Sequence, residues 1–203
     1  GDDLNIYGTV EAAGDVIMYV DYENADPGVG GQVDMPGTVI GEDAFIYGDS
    51  DDDYFPMVEP LYGIEGAVTL TGFGGSDLYV IYLYGQEAAL FNVYDESPAN
   101  PAGEPGSDSL QVYATDETDY ILFRPNAIIS LEMDENRVPV ENGVVERINY
   151  NGDINAGVYV YGRAGDDTFV FDDTNSPITV YGQAGDDTFQ VGQVYESPRD
   201  GTN

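Results

Sequence analysis

The chain has 203 residues, with 39 Asp and Glu against 5 basic residues and a formal net charge of −34. Such a charge repels phosphate and anionic headgroups, which argues against nucleic acid and anionic membranes and makes divalent cations the natural partners, and no apolar run approaches the ~18 residues that membrane insertion needs. With no Cys and no His, disulfide staples, histidine-based acid–base chemistry and soft N/S zinc sites are excluded as well.

In chain order, the segment Asp2-Asp3-Leu4-Asn5-Ile6 opens with two acids and an alternating apolar run, and Gly41-Glu42-Asp43-Ala44-Phe45-Ile46 repeats that layout. Tyr47-Gly48-Asp49-Ser50-Asp51-Asp52-Asp53-Tyr54-Phe55 and Thr71-Gly72-Phe73-Gly74-Gly75-Ser76-Asp77-Leu78-Tyr79-Val80 each place a Gly/Asp turn between two strand-like runs. Gln86 to Phe91 is the best helical candidate, and it is short. Ala99 to Gly106 is rich in Pro and Gly, and Asp108-Ser109-Leu110-Gln111-Val112-Tyr113 then resembles the start of the chain. Ile128 to Leu131 and Val144 to Ile148 read as further strands.

The last third carries the clearest repeat. Tyr161-Gly162-Arg163-Ala164-Gly165-Asp166-Asp167-Thr168-Phe169-Val170 returns twenty residues on as Tyr181-Gly182-Gln183-Ala184-Gly185-Asp186-Asp187-Thr188-Phe189-Gln190. Val158–Tyr161, Thr168–Phe171 and Ile178–Tyr181 alternate as strands do, which gives two short strands per period. The pattern predicts an all-β fold of stacked short strands, a β-roll, β-solenoid or sandwich-like stack, with Phe169, Phe171, Val180, Phe189 and Val191 facing inward. Stacking sets turn 162–167 against turn 182–187 at a strand spacing of about 4.8 Å. Carboxylates that close repel unless a cation lies between them. The opposite turn, Asp172 to Pro177, lacks Gly and is the poorer ion row.

These decapeptides resemble the RTX, or haemolysin-type, calcium-binding repeat, with Arg163 and Gln183 standing where that motif has its second Gly. The resemblance implies a Ca2+ ligand set of Gly162, Ala164, Gly165 and Asp167 from one turn and Gly182, Ala184, Gly185 and Asp187 from the next. The weaker copies add Asp53 and Asp77 as candidates.

A longer period divides the chain into two related units, residues 1–107 and 108–203, of ordinary domain size. The expectation is a non-enzymatic, calcium-rigidified structural or adhesive module of a secreted or cell-surface protein. Its expected partners are neighbouring copies of itself, in covalent tandem or assembled head to tail, with surface polysaccharide as a second class. The alternative is an accessory or carbohydrate-binding module of a secreted RTX-type enzyme.

Overall fold

The computed structural model describes residues 3–20, 28–57, 61, 63–95, 106–136 and 138–192. Short runs of Val, Ile, Tyr and Phe alternating with polar residues form strands, because one face of each run packs inward while the other meets solvent. The first three turns of the chain each hold three strands: β1 (Leu4–Asn5), β2 (Thr9–Glu11) and β3 (Val16–Tyr19); β4 (Val33–Asp34), β5 (Thr38–Gly41) and β6 (Ala44–Tyr47); β7 (Tyr54–Met57), β8 (Gly63–Ile64) and β9 (Val68–Thr71). Later turns hold two: β10 (Leu78–Tyr82) and β11 (Ala89–Val93), then β12 (Ser109–Tyr113) and β13 (Tyr120–Arg124). A hairpin follows, β14 (Ala127–Leu131) and β15 (Val145–Tyr150), before β16 (Gly157–Tyr161) with β17 (Thr168–Phe171) and β18 (Ile178–Tyr181) with β19 (Thr188–Val191). The described residues contain no helix, and the segment taken as helical is a bend leading into β11. The all-β, stacked-strand expectation holds.

Successive turns of chain pair in parallel. One sheet runs β7-β10-β12-β16-β18, a second runs β3-β6-β9-β11-β15-β14-β13-β17-β19, and β2-β5-β8 close a third side beside the first turns. The pairs β13–β14 and β14–β15 are antiparallel. The hairpin therefore inserts two extra strands into the second sheet at a level where β10 pairs directly with β12 in the first. A cavity of about 410 Å³ opens beside it, with Tyr84, Asp119, Ser130, Glu132, Glu146 and Thr168 in its wall. The β10–β12 pairing, in register over Leu78–Tyr82 and Ser109–Tyr113, joins the two sequence units within one sheet.

The core lies between the sheets and includes Ile46, Phe55, Leu70, Tyr79, Leu110, Phe123, Ile148, Val160 and Phe169. Each such side chain contributes about 1.5–3 kcal/mol by leaving water. Phe169 is fully buried, and Phe171 and Val180 pack against the core as expected. Phe189 and Val191, also expected inside, are 50% and 80% exposed, because β19 is the last strand of its sheet and no described strand covers it.

Acids are nearly absent from the strands, which contain only Glu11, Asp34 and Glu146. Parallel in-register pairing puts like residues about 4.8 Å apart, so a column of acids on a sheet face would repel. The charge is concentrated in the turns instead.

Candidate metal centre

The Gly/Asp turns share one local construction. A Cβ built on Gly48, Gly72, Gly162 or Gly182 would meet Oδ2 of Asp53, Asp77, Asp167 or Asp187 at 1.9, 1.8, 2.5 and 2.1 Å. Each Asp thus folds its carboxylate back over the glycine five residues earlier, and only a residue without a side chain leaves room for it. In three of these turns the next position takes a left-handed conformation although it is not glycine, with φ of 75° at Phe73, 70° at Arg163 and 71° at Gln183. The turn geometry therefore survives the loss of the motif's second Gly, at the cost of local strain.

The other carboxylate oxygen builds a ladder between turns. The Asp53 N–H donates to Asp77 Oδ1 at 2.7 Å and the Asp77 N–H to Asp108 Oδ1 at 2.9 Å. On a separate row, the Asp119 N–H donates to Asp167 Oδ1 at 2.9 Å and the Asp167 N–H to Asp187 Oδ1 at 3.1 Å. The first acids of the turns join in, with the Asp186 N–H donating to Asp166 Oδ1 at 2.9 Å and the Ser76 N–H to Asp52 Oδ1 at 2.7 Å. Both carboxylates of a Gly-Asp-Asp turn are thus spent partly on backbone donors that would otherwise go unsatisfied.

The structure brings Gly162, Ala164, Gly165 and Asp167 directly against Gly182, Ala184, Gly185 and Asp187. Ala164 and Ala184 form a parallel bridge, and the Ala184 N–H donates to the Arg163 carbonyl at 2.9 Å. Asp53 and Asp77 do not join this row. Their turns lead from the second sheet into the first, whereas turns 162–167 and 182–187 lead from the first into the second, so the copies lie on opposite edges of the stack.

Asp167 is fully buried, and its Oδ2 has no hydrogen-bond donor. Burial, with Asp119, Asp187 and Asp166 nearby, pushes its carboxyl up to about 6 against the pull of the Asp119 N–H. On this row Asp119 is better satisfied, since Oδ2 accepts from Thr115 N–H and Oγ1, both at 2.9 Å.

The opposite edge holds a denser arrangement. Asp77, Asp95 and Asp108 are each buried, and one carboxylate oxygen from each lies within 4.8 Å of the others. Asp77 closes the turn before β10, Asp95 follows β11 and Asp108 precedes β12. Continuing the pairing of Val93 with Leu70 by two residues sets Asp95 opposite Gly72, the glycine over which Asp77 is folded. Where the column offers glycine in one turn and aspartate in the next, an extra carboxylate enters the same small space. Tyr79, buried in the core and stacked on Phe55 at 5.0 Å, reaches the group with its hydroxyl. That hydroxyl accepts from Gly72 N–H at 2.6 Å and donates to Asp95 Oδ1 at 3.2 Å.

Asp77 Oδ2 is buried and has no hydrogen-bond donor. Burial pushes the Asp77 carboxyl up to about 9, with Asp95 adding to it, and the Asp95 carboxyl up to about 7, where hydrogen bonds with Asp77 and Tyr79 pull it down and Asp108 pushes it up. Arg124 and Arg163 are engaged elsewhere, with Asp172 at 3.0 Å and Asp116 at 2.9 Å. A cation fits this group. Two oxygens held by one ion at about 2.4 Å are at most about 4.8 Å apart, the same limit within which these three lie. The donors are all carboxylate oxygens, the ligand type that hard cations favour.

Asp95 and Asp108 were not singled out from the sequence. Neither sits in a Gly-x-x-Gly-x-Asp turn, and the only hint was that Asp108 opens a segment resembling the start of the chain. Compared with protein-family models, curated proteins and solved structures, the chain matches none.

Proposed function

We propose that the chain is a non-catalytic, calcium-binding structural module of the extracellular space, in which Ca2+ at Asp77, Asp95 and Asp108 locks successive turns of the strand stack together. The observation that carries this reading is the Asp77 Oδ2 atom, buried among carboxylates without a donor. Removing an ionised carboxylate from water without compensation costs several kcal/mol, so the group takes up either a proton or a metal ion. Calcium accepts three carboxylates together with neutral oxygens at 2.3–2.6 Å and tolerates irregular geometry, whereas Mg2+ demands a near-ideal octahedron and keeps its waters. The likeness of the 162–167 and 182–187 turns to RTX repeats supports the same ion and suggests Asp167 and Asp187 as a further point of attachment.

The mechanism is linkage. Without the ion, the acids of adjacent turns repel; with it, binding free energy becomes folding free energy. A site of millimolar affinity fills outside the cell and stays empty in cytosol. Calorimetric titration with CaCl2 tests the reading. Heat of binding is expected in the native sequence and to fall to a minor remainder in Asp95→Asn, whose amide would donate to Asp77. Equal binding in both, or none in either, rejects it.

A further inference from the structure

The cavity beside the hairpin takes no part in the calcium site. It forms where two strands part. β13 and β14 are partners from Arg124–Ala127 to Ile121–Ser130. One residue further, Tyr120 is paired with Thr168 of β17 and Leu131 with Val145 of β15. The fork opens a volume of about 410 Å³, within the roughly 300–1,000 Å³ of small-molecule pockets.

The inner wall of this fork carries polar groups without partners. Asp119, Ser130 and Thr168 line it and are only 6%, 8% and 8% exposed. The hydroxyls of Ser130 and Thr168 hydrogen-bond to no described residue. The donors to the Asp119 carboxylate both go to Oδ2, which leaves Oδ1 open among the described residues. Buried polar oxygens are normally paired, so three open ones on one cavity wall mark the place of a ligand. Ser130 stands opposite Glu146 in the antiparallel pairing, so their side chains share a face. Glu146 is buried too and accepts from Tyr84 N–H and Gly85 N–H at 2.8 Å, one on each oxygen. Its carboxylate is thereby fixed while each oxygen keeps a lone pair. Burial raises the Glu146 carboxyl and Asp119 adds to the rise, so the two acids lie close enough to repel. Among the described residues no Lys or Arg stands in the wall. Arg163, whose charge reaches Asp119, is held by Asp116 at 2.9 Å and the Ala114 carbonyl at 3.3 Å.

We propose that this cavity binds a small primary alkylamine, with its ammonium among Asp119, Ser130, Glu146 and Thr168 and its carbon chain against Tyr120 and Leu131. Chemistry selects the class. The open atoms are acceptors beside two carboxylates, and a primary ammonium brings three N–H donors and a positive charge. An anion is turned away by the same acids, and exposed Glu117, Glu132 and Glu135 at the mouth draw cations in. A metal ion fits poorly. Asp119 and Glu146 belong to no group of three carboxylates able to share one ion, and calcium needs about six to eight oxygens around it. Tyr120 and Leu131, packed in an apolar cluster with Leu122, Val170 and Met133, offer a carbon chain a surface that a bare ion would not use.

The inference does not rest on the calcium reading, and the test is run on the whole chain in saturating Ca2+ to keep the two apart. The probe is n-pentylamine. Calorimetry is expected to show one amine bound per chain, with no binding of n-pentanol, which lacks the charge, or of tetramethylammonium, which lacks N–H donors. Glu146→Gln is expected to weaken binding about tenfold. Because that change also takes an acceptor from the Tyr84 and Gly85 N–H groups, Ser130→Leu serves as a second variant. It puts an apolar side chain in the place of the ammonium and is expected to abolish binding without lowering the melting temperature. No binding of pentylamine, equal binding of tetramethylammonium, several amines per chain, heat unchanged in Ser130→Leu, or displacement by Ca2+ at constant ionic strength would each overturn the proposal.

Discussion

The turn at 72–77 and the turn at 162–167 obey the same local rule and end in different chemistry. In both, an aspartate folds over a glycine and hands one oxygen to the backbone of an adjacent turn. Around Asp167 the neighbouring acids are spaced along a row, and Asp119 is satisfied by Thr115. Around Asp77 the next turn supplies Asp95 where a glycine stood, and Asp108 comes in from the position just before β12. Local sequence makes a hydrogen-bonded turn; the neighbour in the stack decides whether that turn becomes an ion site.

The comparison breaks first at the glycines. Gly72→Ala would force a Cβ to 1.8 Å from the Asp77 carboxylate, against 2.5 Å for Gly162→Ala. Overpacking of this kind costs about 1–3 kcal/mol or more. The first variant is expected to lose about 3 kcal/mol and the second less, measured by urea unfolding. Equal losses would mean that the two turns are not differently crowded.

Calcium comes next. At a hundredfold excess over Kd the ion is expected to add about 2.7 kcal/mol of stability, visible as a higher melting temperature over the EDTA-treated chain. Asp95→Asn is expected to melt higher than the native chain in EDTA and to lose most of the calcium response, because its amide replaces the ion as partner for Asp77. Asp167→Asn combined with Asp187→Asn is expected to leave most of that response in place; its abolition would move the principal site to the other edge.

The pH dependence sharpens the same contrast. Folding raises the carboxyls of Asp77 to about 9, Asp95 to about 7 and Asp167 to about 6. The folded state binds protons more tightly than the unfolded one at these groups, so their contribution is fully present below pH ~4 and is lost as pH rises through 6, 7 and 9. In EDTA the melting temperature is expected to fall from about pH 4 to 9, most steeply below pH 6 where all three groups contribute; with calcium the fall is expected to flatten. A metal-free chain whose stability is level across that window would contradict the burial of these acids. The smallest effect is at Asp167→Asn alone, about 1 kcal/mol of one hydrogen bond and one buried charge traded against each other.

Much of this was legible in the residues. Alternating Val, Tyr and Phe specify strands because a pleated half-buried surface accepts little else, and the twenty-residue echo of Gly162–Phe169 in Gly182–Phe189 specified that those turns stack. The need for glycine at 72 and 162 follows from the same motif. Nothing local, however, distinguishes Asp95 from any other acid among 39. Its importance arises because the pairing of β11 on β9 sets it opposite Gly72, a register fixed by distant hydrophobic packing. Nor could the repeats reveal that their copies lie on opposite edges, since that depends on which sheet the strands before and after each turn join. The sequence by itself determined the strands, the turns and the excess of carboxylates; only the tertiary structure decided which carboxylates meet, because a periodic chain sets spacing along itself while meeting depends on what stacks above and below.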